Sequence, residues 1–184
     1  MAVTGKHGVT ATTPQNIVFG AGTIHKGMTK EGGTWTGGTI VGATSGGSKI
    51  SIVPEFVDVA IDGANVAVKG LKVKTGETAT MEVNFAEITA DVIAAATAGT
   101  NNAGVITSKA DIVEGDYWDN VAFVGETITG EKIIVVMPNA LITSGFELEG
   151  KHKEGAVITA TFTCHAELDG DLDKLAWEII YPEA

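Results

Sequence analysis

The stretch GAVITATFTCHAEL, residues 155–168, alternates with a period of two and constrains the fold more than any other part of the chain. Ala156, Ile158, Ala160, Phe162 and Cys164 fall on one side of an extended backbone, and Val157, Thr159, Thr161, Thr163 and His165 on the other. Successive strand side chains point to opposite faces, so this pattern describes a strand with one face buried. TATMEVNF repeats it, setting Met81, Val83 and Phe85 against Thr80, Glu82 and Asn84. NIVFGAGTI, the run after Ser48, GVITSK, DYWDNVAFVGE, EKIIVVMP, ALITSGFELEGK and AWEIIY share the texture. Asp62-Gly63, Thr75-Gly76 and Thr129-Gly130 punctuate these runs as turns, and VAVKGLKVK is expected to answer the first as a strand with a bulge at Gly70.

One segment departs from the period. In EITADVIAAATAG, Thr89 is placed to cap a helix, Asp91 favours its positive end, and Gly99 is a natural stop. The expectation is an all-β fold, a mainly antiparallel sandwich or rolled barrel, with one short flanking helix near residues 89–98. At 184 residues the chain reads as a single domain, 1–184, preceded by a polar arm over residues 1–15.

Glycine is concentrated in KGMTKEGGTWTGGTIVGATSGG, which reads as a Gly/Thr-rich loop over residues 25–48. Within it GATSGGSK approaches a phosphate-binding loop, but Ser48 and Lys49 stand in the reverse order to the lysine and hydroxyl that motif needs. The continuation SKISIVPEF is strand-like, whereas the motif must open a helix, so nucleotide binding is not expected.

Charge excludes further classes. The net charge is −11, and all twelve basic residues are lysine. Without arginine the chain lacks the bidentate group that reads guanine edges and clamps phosphates, and its acidity repels nucleic acid at long range. No stretch reaches the apolar length of a membrane span, so no membrane insertion by this chain is expected, and the first residues have no apolar signal core. The single cysteine, Cys164, lies at a core parity and cannot form an intramolecular disulfide.

Catalytic groups do not converge in the sequence. His7, His25, His152 and His165 fall in an arm, a glycine-rich segment, a turn and a strand, without metal-ligand spacing. Asp169, Asp171 and Asp173 begin like a calcium loop, but Lys174 and Ile180 occupy the positions that need glycine and glutamate. Glu147 and Glu149 share a strand side without accompanying sugar-stacking aromatics. Trp35, Trp118 and Trp177 stand singly and read as core or interface anchors. No enzyme activity, catalytic residue, metal or cofactor is expected.

The order of segments has a counterpart. TPQNIVFGAGTIHKG leads into GGTIVGATSGGSKISIVPEFVDVAIDGA, VKGLKVK and NFAEITADVI, then DYWDNVAFVGETITGEKIIVVMPNALI, FELEGKHKEGAVITATFTCHAEL and WEI. Together, over about residues 14 to 181, these resemble the major tail tube proteins of tailed bacteriophages of Gram-positive hosts, of siphophage or prophage type. The resemblance implies a β-sandwich with a flanking helix, six copies of which join sheet edges into a ring, rings stacking into a hollow tube that passes DNA without binding it. It implies a location in the virion tail after synthesis in the host cytoplasm. The implied partners are further copies of the chain, a tape-measure protein, and tail terminator and distal tail proteins. On this reading Gly32, Gly33, Trp35, Gly37, Gly38, Gly42, Gly46 and Gly47 belong to an assembly loop, and Asp58, Asp62, Thr80, Glu82 and Asn84 are candidates to face the lumen. The alternatives are a monomeric immunoglobulin-like adhesion or binding module, and the inner tube of a contractile tail or tail-derived bacteriocin.

Overall fold

A computed structural model describes residues 8–182. After a 3-10 turn at Thr13–Asn16 come β1 (Val18–Glu31), β2 (Thr34–Ile40), β3 (Thr44–Asp58) and β4 (Lys72–Phe85). The helix α1 (Ala90–Ala96) leads to the small hairpin of β5 (Gly99–Asn102) and β6 (Val105–Ser108). A second 3-10 turn at Glu114–Asp116 precedes β7 (Val121–Thr127), β8 (Lys132–Met137), β9 (Ala140–Ile142), β10 (Ile158–Cys164) and β11 (Glu178–Ile180).

Every strand pair is antiparallel, in a five-stranded sheet of order β11-β8-β7-β1-β2, a four-stranded sheet of order β3-β4-β10-β9, and the β5-β6 pair. The protein is an all-β sandwich with one α-helix. The predicted alternation of β4 and β10 places its apolar half inside: Met81, Val83 and Phe85 meet Phe162, Ala160 and Ile158 in register, all essentially without solvent contact. Phe85 and Phe162 pack edge to face at 6.4 Å, and Ile24, Val121 and Met137 supply the opposing sheet. Each of the larger of these side chains, valine and upward in size, stabilises the fold by about 1.5–3 kcal/mol when moved out of water.

In β8, Ile133–Met137 are buried on both faces, which departs from the alternation. Met137 joins the main core, while Ile134 and Val136 join a second one with Met28, Ala122, Val124, Trp35 and Ile180. The second core exists because the five-stranded sheet rolls up. Lys30 of β1 and Trp35 of β2 reach Glu178 of β11, the strand at the far end of the sheet order, with Lys30 Nζ 2.6 Å and Trp35 Nε1 2.9 Å from its carboxylate. Both readings of the sequence, sandwich and rolled barrel, thus describe parts of one molecule.

Three local expectations are corrected. The Gly/Thr-rich segment 25–48 is not a loop: it is the β1-β2 hairpin, turning at Gly32 and Gly33, followed by the first residues of β3. Threonine and isoleucine between the glycines favour a pleated chain, and the glycines take the left-handed positions of a twisted ribbon. VAVKGLKVK contributes a strand only from Lys72, and Gly70, with φ +93°, sits in a turn instead of a bulge. In ALITSGFELEGK the strand covers only Ala140–Ile142: Thr143 N still donates to Thr161 O at 2.9 Å, after which the Ser144 hydroxyl donates to Thr159 O and accepts from Thr161 N, standing in for a backbone partner before Gly145 turns the chain away.

The helix is capped as expected, Val92 N donating to Thr89 Oγ1 at 3.3 Å. Its left-handed exit falls at Ala98, not Gly99. Gly99 serves the next strand: a Cβ there would come within 2.8 Å of Thr107 O, so its absence allows β5 to lie against β6.

Candidate assembly surfaces

The face of the four-stranded sheet turned away from the core is built mainly of polar groups, with one lysine and one glutamate among them and Leu141 of β9 beside Thr163. Thr80, Glu82 and Asn84 of β4 stand opposite Thr163, Thr161 and Thr159 of β10, and Ser51 and Lys49 of β3 lie opposite Thr80 and Glu82 on the other side. Hydroxyls and amides tie it together: Thr159 Oγ1 donates to Asn84 Oδ1 at 2.7 Å, Asn84 Nδ2 donates to Gly47 O at 3.3 Å, and the hydroxyls of Thr143 and Thr163 meet at 2.9 Å. Lys49 and Glu82 oppose each other across the strands, so their charges offset locally. Three of the residues selected from the sequence, Thr80, Glu82 and Asn84, therefore share one surface with the threonine row of β10.

Asp58 and Asp62 lie elsewhere. From Val53 outward the β3-β4 ribbon leaves the body of the sandwich, and residues 53–70 are exposed throughout. Asp58 pairs with Lys72 at 3.2 Å where the ribbon ends, and Asp62 sits in the distal turn, formed with Gly63 at φ +87°. Lys72 is eight positions along β4 from Thr80, roughly 27 Å of extended chain. Phe56, Val57 and Val73 on the ribbon are each about half exposed, and Val66 at the tip is 78% exposed. The tip loop, residues 59–71, is mostly valine, alanine and isoleucine. Sequence reasoning missed this projection because each half of it reads as an ordinary amphipathic strand. The available signal was a surplus: apolar residues continue through the turn with no matching partner strand.

Glu77 fixes the base of the ribbon. Its buried carboxylate accepts from Lys74 Nζ at 2.6 Å and from Leu175 N at 2.7 Å, fastening the segment before β11 to β4. The Lys74 bond first, and the Leu175 N–H second, hold this carboxyl below its ordinary range. Glu178 is held low in the same way, by Lys30 and then Trp35, where it closes the rolled sheet.

The glycines chosen as an assembly loop are dispersed by the fold. Gly32 and Gly33 make the β1-β2 turn, Gly37 and Gly38 lie in β2 beside Met28 and Thr29, and Gly46 and Gly47 form an irregularity near the start of β3. Gly42 is buried, with Glu87 O 3.1 Å from where a Cβ would stand. Trp35 lines an open trough of about 600 Å³ inside the rolled sheet, together with Phe19, His25, Met28 and Lys132.

No group of three or more His, Cys, Asp or Glu side chains among the described residues is arranged to hold a metal ion. His25 contacts Thr23 Oγ1 at 3.0 Å, and burial, followed by the charge of Lys132, lowers its pKa. His165 packs edge-on against Tyr117 at 5.2 Å. His7 lies outside the described residues. Cys164 is buried against Pro138 O, and burial raises its thiol to about 11, which leaves no thiolate at neutral pH. No helix among the described residues is long and apolar enough to cross a membrane.

Fold and surfaces together define a β-sandwich with open sheet edges, one polar sheet face and a projecting apolar ribbon. Neither a protein-family model nor a curated protein sequence matches the chain. Among solved structures it is similar to a chain in the virion of a native gene transfer agent particle, with 18% identity and a TM-score of 0.42, covering 80% of this chain and 92% of that one. It is also similar to a chain in the tail of an empty gene transfer agent particle with C6 symmetry, with 15% identity, a TM-score of 0.41 and the same coverages. At that depth of similarity, a functional reading rests on the geometry of this chain.

Proposed function

We propose that the protein is a structural subunit of a phage-type tail tube, closing into hexameric rings that stack into a hollow conduit for DNA. The observation that carries this reading is the four-stranded sheet, apolar on its inner face, polar and nearly charge-balanced on its outer face, and bounded by edge strands β3 and β9. A fifteen-residue edge strand such as β3 is a standing template for pairing, and a closed ring removes the liability. Joined edge to edge, six such sheets make a barrel whose backbone diameter is roughly 45–50 Å, from a strand spacing of ~4.8 Å and a tilt of ~40°. Its lumen is wide enough for duplex DNA.

In this assembly the row Thr80, Glu82 and Asn84, with the threonines of β10, lines the lumen. A surface of hydroxyls and amides without arginine hydrates well and gives phosphates nothing to grip. Asp58 and Asp62 belong instead to the ribbon, whose exposed valines and Phe56 bear on a neighbouring subunit or the next ring. That ribbon takes over the bridging role that the glycine-rich segment was expected to fill. The resemblance in segment order adds the tape-measure, terminator and distal tail proteins as partners, and the virion tail as location.

Negative-stain electron microscopy of the concentrated protein, at low and high salt, tests the proposal. Six-fold rings or hollow tubes are expected. A monodisperse monomer under all conditions, unchanged by addition of preformed tail tips, would overturn it in favour of a binding module.

A further inference from the structure

Residues 167–174, ELDGDLDK, repeat a four-residue pattern: an acid, a leucine, an aspartate, then Gly170 or Lys174. Each repeat makes a turn. Gly170 N donates to Glu167 O at 3.1 Å in the first, and Asp173 N donates to the Asp171 carboxylate at 3.0 Å in the second. Leu168 and Leu172 therefore stand at matching corners, positions that ordinarily take glycine, proline or a short polar residue. They are 93% and 70% exposed and join neither core, and Leu168 is the most exposed large apolar side chain among the described residues. Around them lie Glu167, Asp169, Asp171 and Asp173, and one cation, Lys174, which pairs with Asp171 at 3.3 Å.

The tip of the ribbon complements this surface in shape and charge. Val59 N donates to Leu71 O at 2.8 Å across its neck, and bonds of 3.1 Å from Ala64 N to Ile61 O and from Leu71 N to Val68 O fold the loop on itself. The result is a cup of about 260 Å³ lined by Val59, Ile61, Val66, Val68 and Leu71. The returning limb, residues 63–76, carries Lys69, Lys72 and Lys74 and no carboxylate, in a chain of net charge −11. Lys72 is engaged by Asp58 and Lys74 by Glu77, which leaves Lys69, at the Val68–Leu71 turn, without an ion-pair partner among the described residues; Asp62 lies at the other turn of the tip. Within one chain neither surface covers the other. Residues 53–70 and 167–174 are all exposed, and Leu175 N is fastened to Glu77, five positions along β4 from Lys72, roughly 17 Å of extended chain.

We propose that the cup at the tip of one copy's ribbon receives Leu168 of a second copy, with Leu172 against its rim and Lys69 beside Glu167 and Asp169. The inference rests on the reading of the ribbon as a bridge between subunits, and it names the surface that the ribbon meets. An apolar side chain seated in a pocket supplies the anchor, and the opposed charges fix its orientation. The contact is heterologous, since cup and turns are different surfaces of the same chain, so each copy can give its ribbon to one neighbour and receive that of another.

The test mixes two full-length populations at high concentration, one carrying Val66→Cys and the other Leu168→Cys, then oxidises and digests them for mass spectrometry. Both positions are exposed and outside both cores, and the native Cys164 is buried. The expected result is a 66–168 disulfide in several-fold excess over the 66–105 product formed when Val105→Cys, at an exposed site on β6, takes the place of Leu168→Cys. Adding Lys69→Glu to the first population should remove the excess, and Glu167→Lys with Asp169→Lys in the second should restore it. A yield equal to that of the control overturns the proposal, whether the ribbon then meets another part of the chain or a different protein. Electron micrographs of the same samples separate this contact from the tube reading: tubes without the excess overturn the contact alone, and the excess without rings or tubes supports the contact while the tube reading fails.

Discussion

At the scale of single residues, the informative positions are a few buried charges and close approaches. Glu77 holds the base of the ribbon through two hydrogen bonds, so Glu77→Ala leaves Leu175 N and Lys74 without their acceptor. The expected loss is about 1–3 kcal/mol, read as a lower midpoint in urea unfolding. Gly22 illustrates steric necessity: it sits at φ +67°, and a Cβ there would stand 2.3 Å from the ring of Phe123. Gly22→Ala is expected to lower the melting temperature by several degrees, whereas Gly130→Ala, strained at φ +87° but facing open space, costs less. Titration has a defined sign at each group. His25 has a lowered pKa, so the unfolded chain binds its proton more readily, and stability falls as pH drops below about 6.5. Glu77, Asp116 and Glu178 have depressed pKa values; their contributions are complete above the ordinary carboxyl range and vanish as pH falls through their folded values. Thermal melts from pH 8 to pH 3 should therefore decline in two stages, and His25→Gln should remove the first.

At the scale of elements, the β3-β4 ribbon separates folding from assembly. Its apolar residues add little to the main core, which draws on β4 only from Ala79 inward. The double change Phe56→Asp and Val57→Lys is expected to leave the melting temperature within about 2 °C, because exposed sites seldom shift stability by more than about 0.5 kcal/mol. The same pair should abolish tube formation in electron micrographs, and intact tubes would remove the ribbon from the interface. The clasp of β2 to β11 behaves in the opposite way. Glu178→Gln weakens contacts to Lys30 and Trp35 within one chain, so tryptophan fluorescence should report greater exposure in the monomer itself. Strand faces and the helix cap were legible in the sequence because they follow from local alternation and a single hydroxyl. The ribbon was not, since its strands obey the same alternation and only the absence of a facing layer distinguishes them.

At the scale of the whole molecule, the polar sheet face gives a test of transport. Glu82→Lys places a second cation beside Lys49 on the proposed lumen wall. Tubes should form normally while DNA ejection slows, and an unchanged ejection rate would take this face out of the lumen. The sequence by itself determined that the chain is an all-β sandwich with one capped helix and that Cys164 is buried. These follow from periodicity, composition and local hydrogen bonding, which act over a few residues. Only the tertiary structure decided that the glycine-rich segment is a β1-β2 hairpin leading into β3, that Ile134 and Val136 serve a second core, and that Asp58 and Asp62 stand on a ribbon far from Thr80, Glu82 and Asn84. Each depends on which strand lies across from which, and such pairings are set by the burial of distant residues against one another.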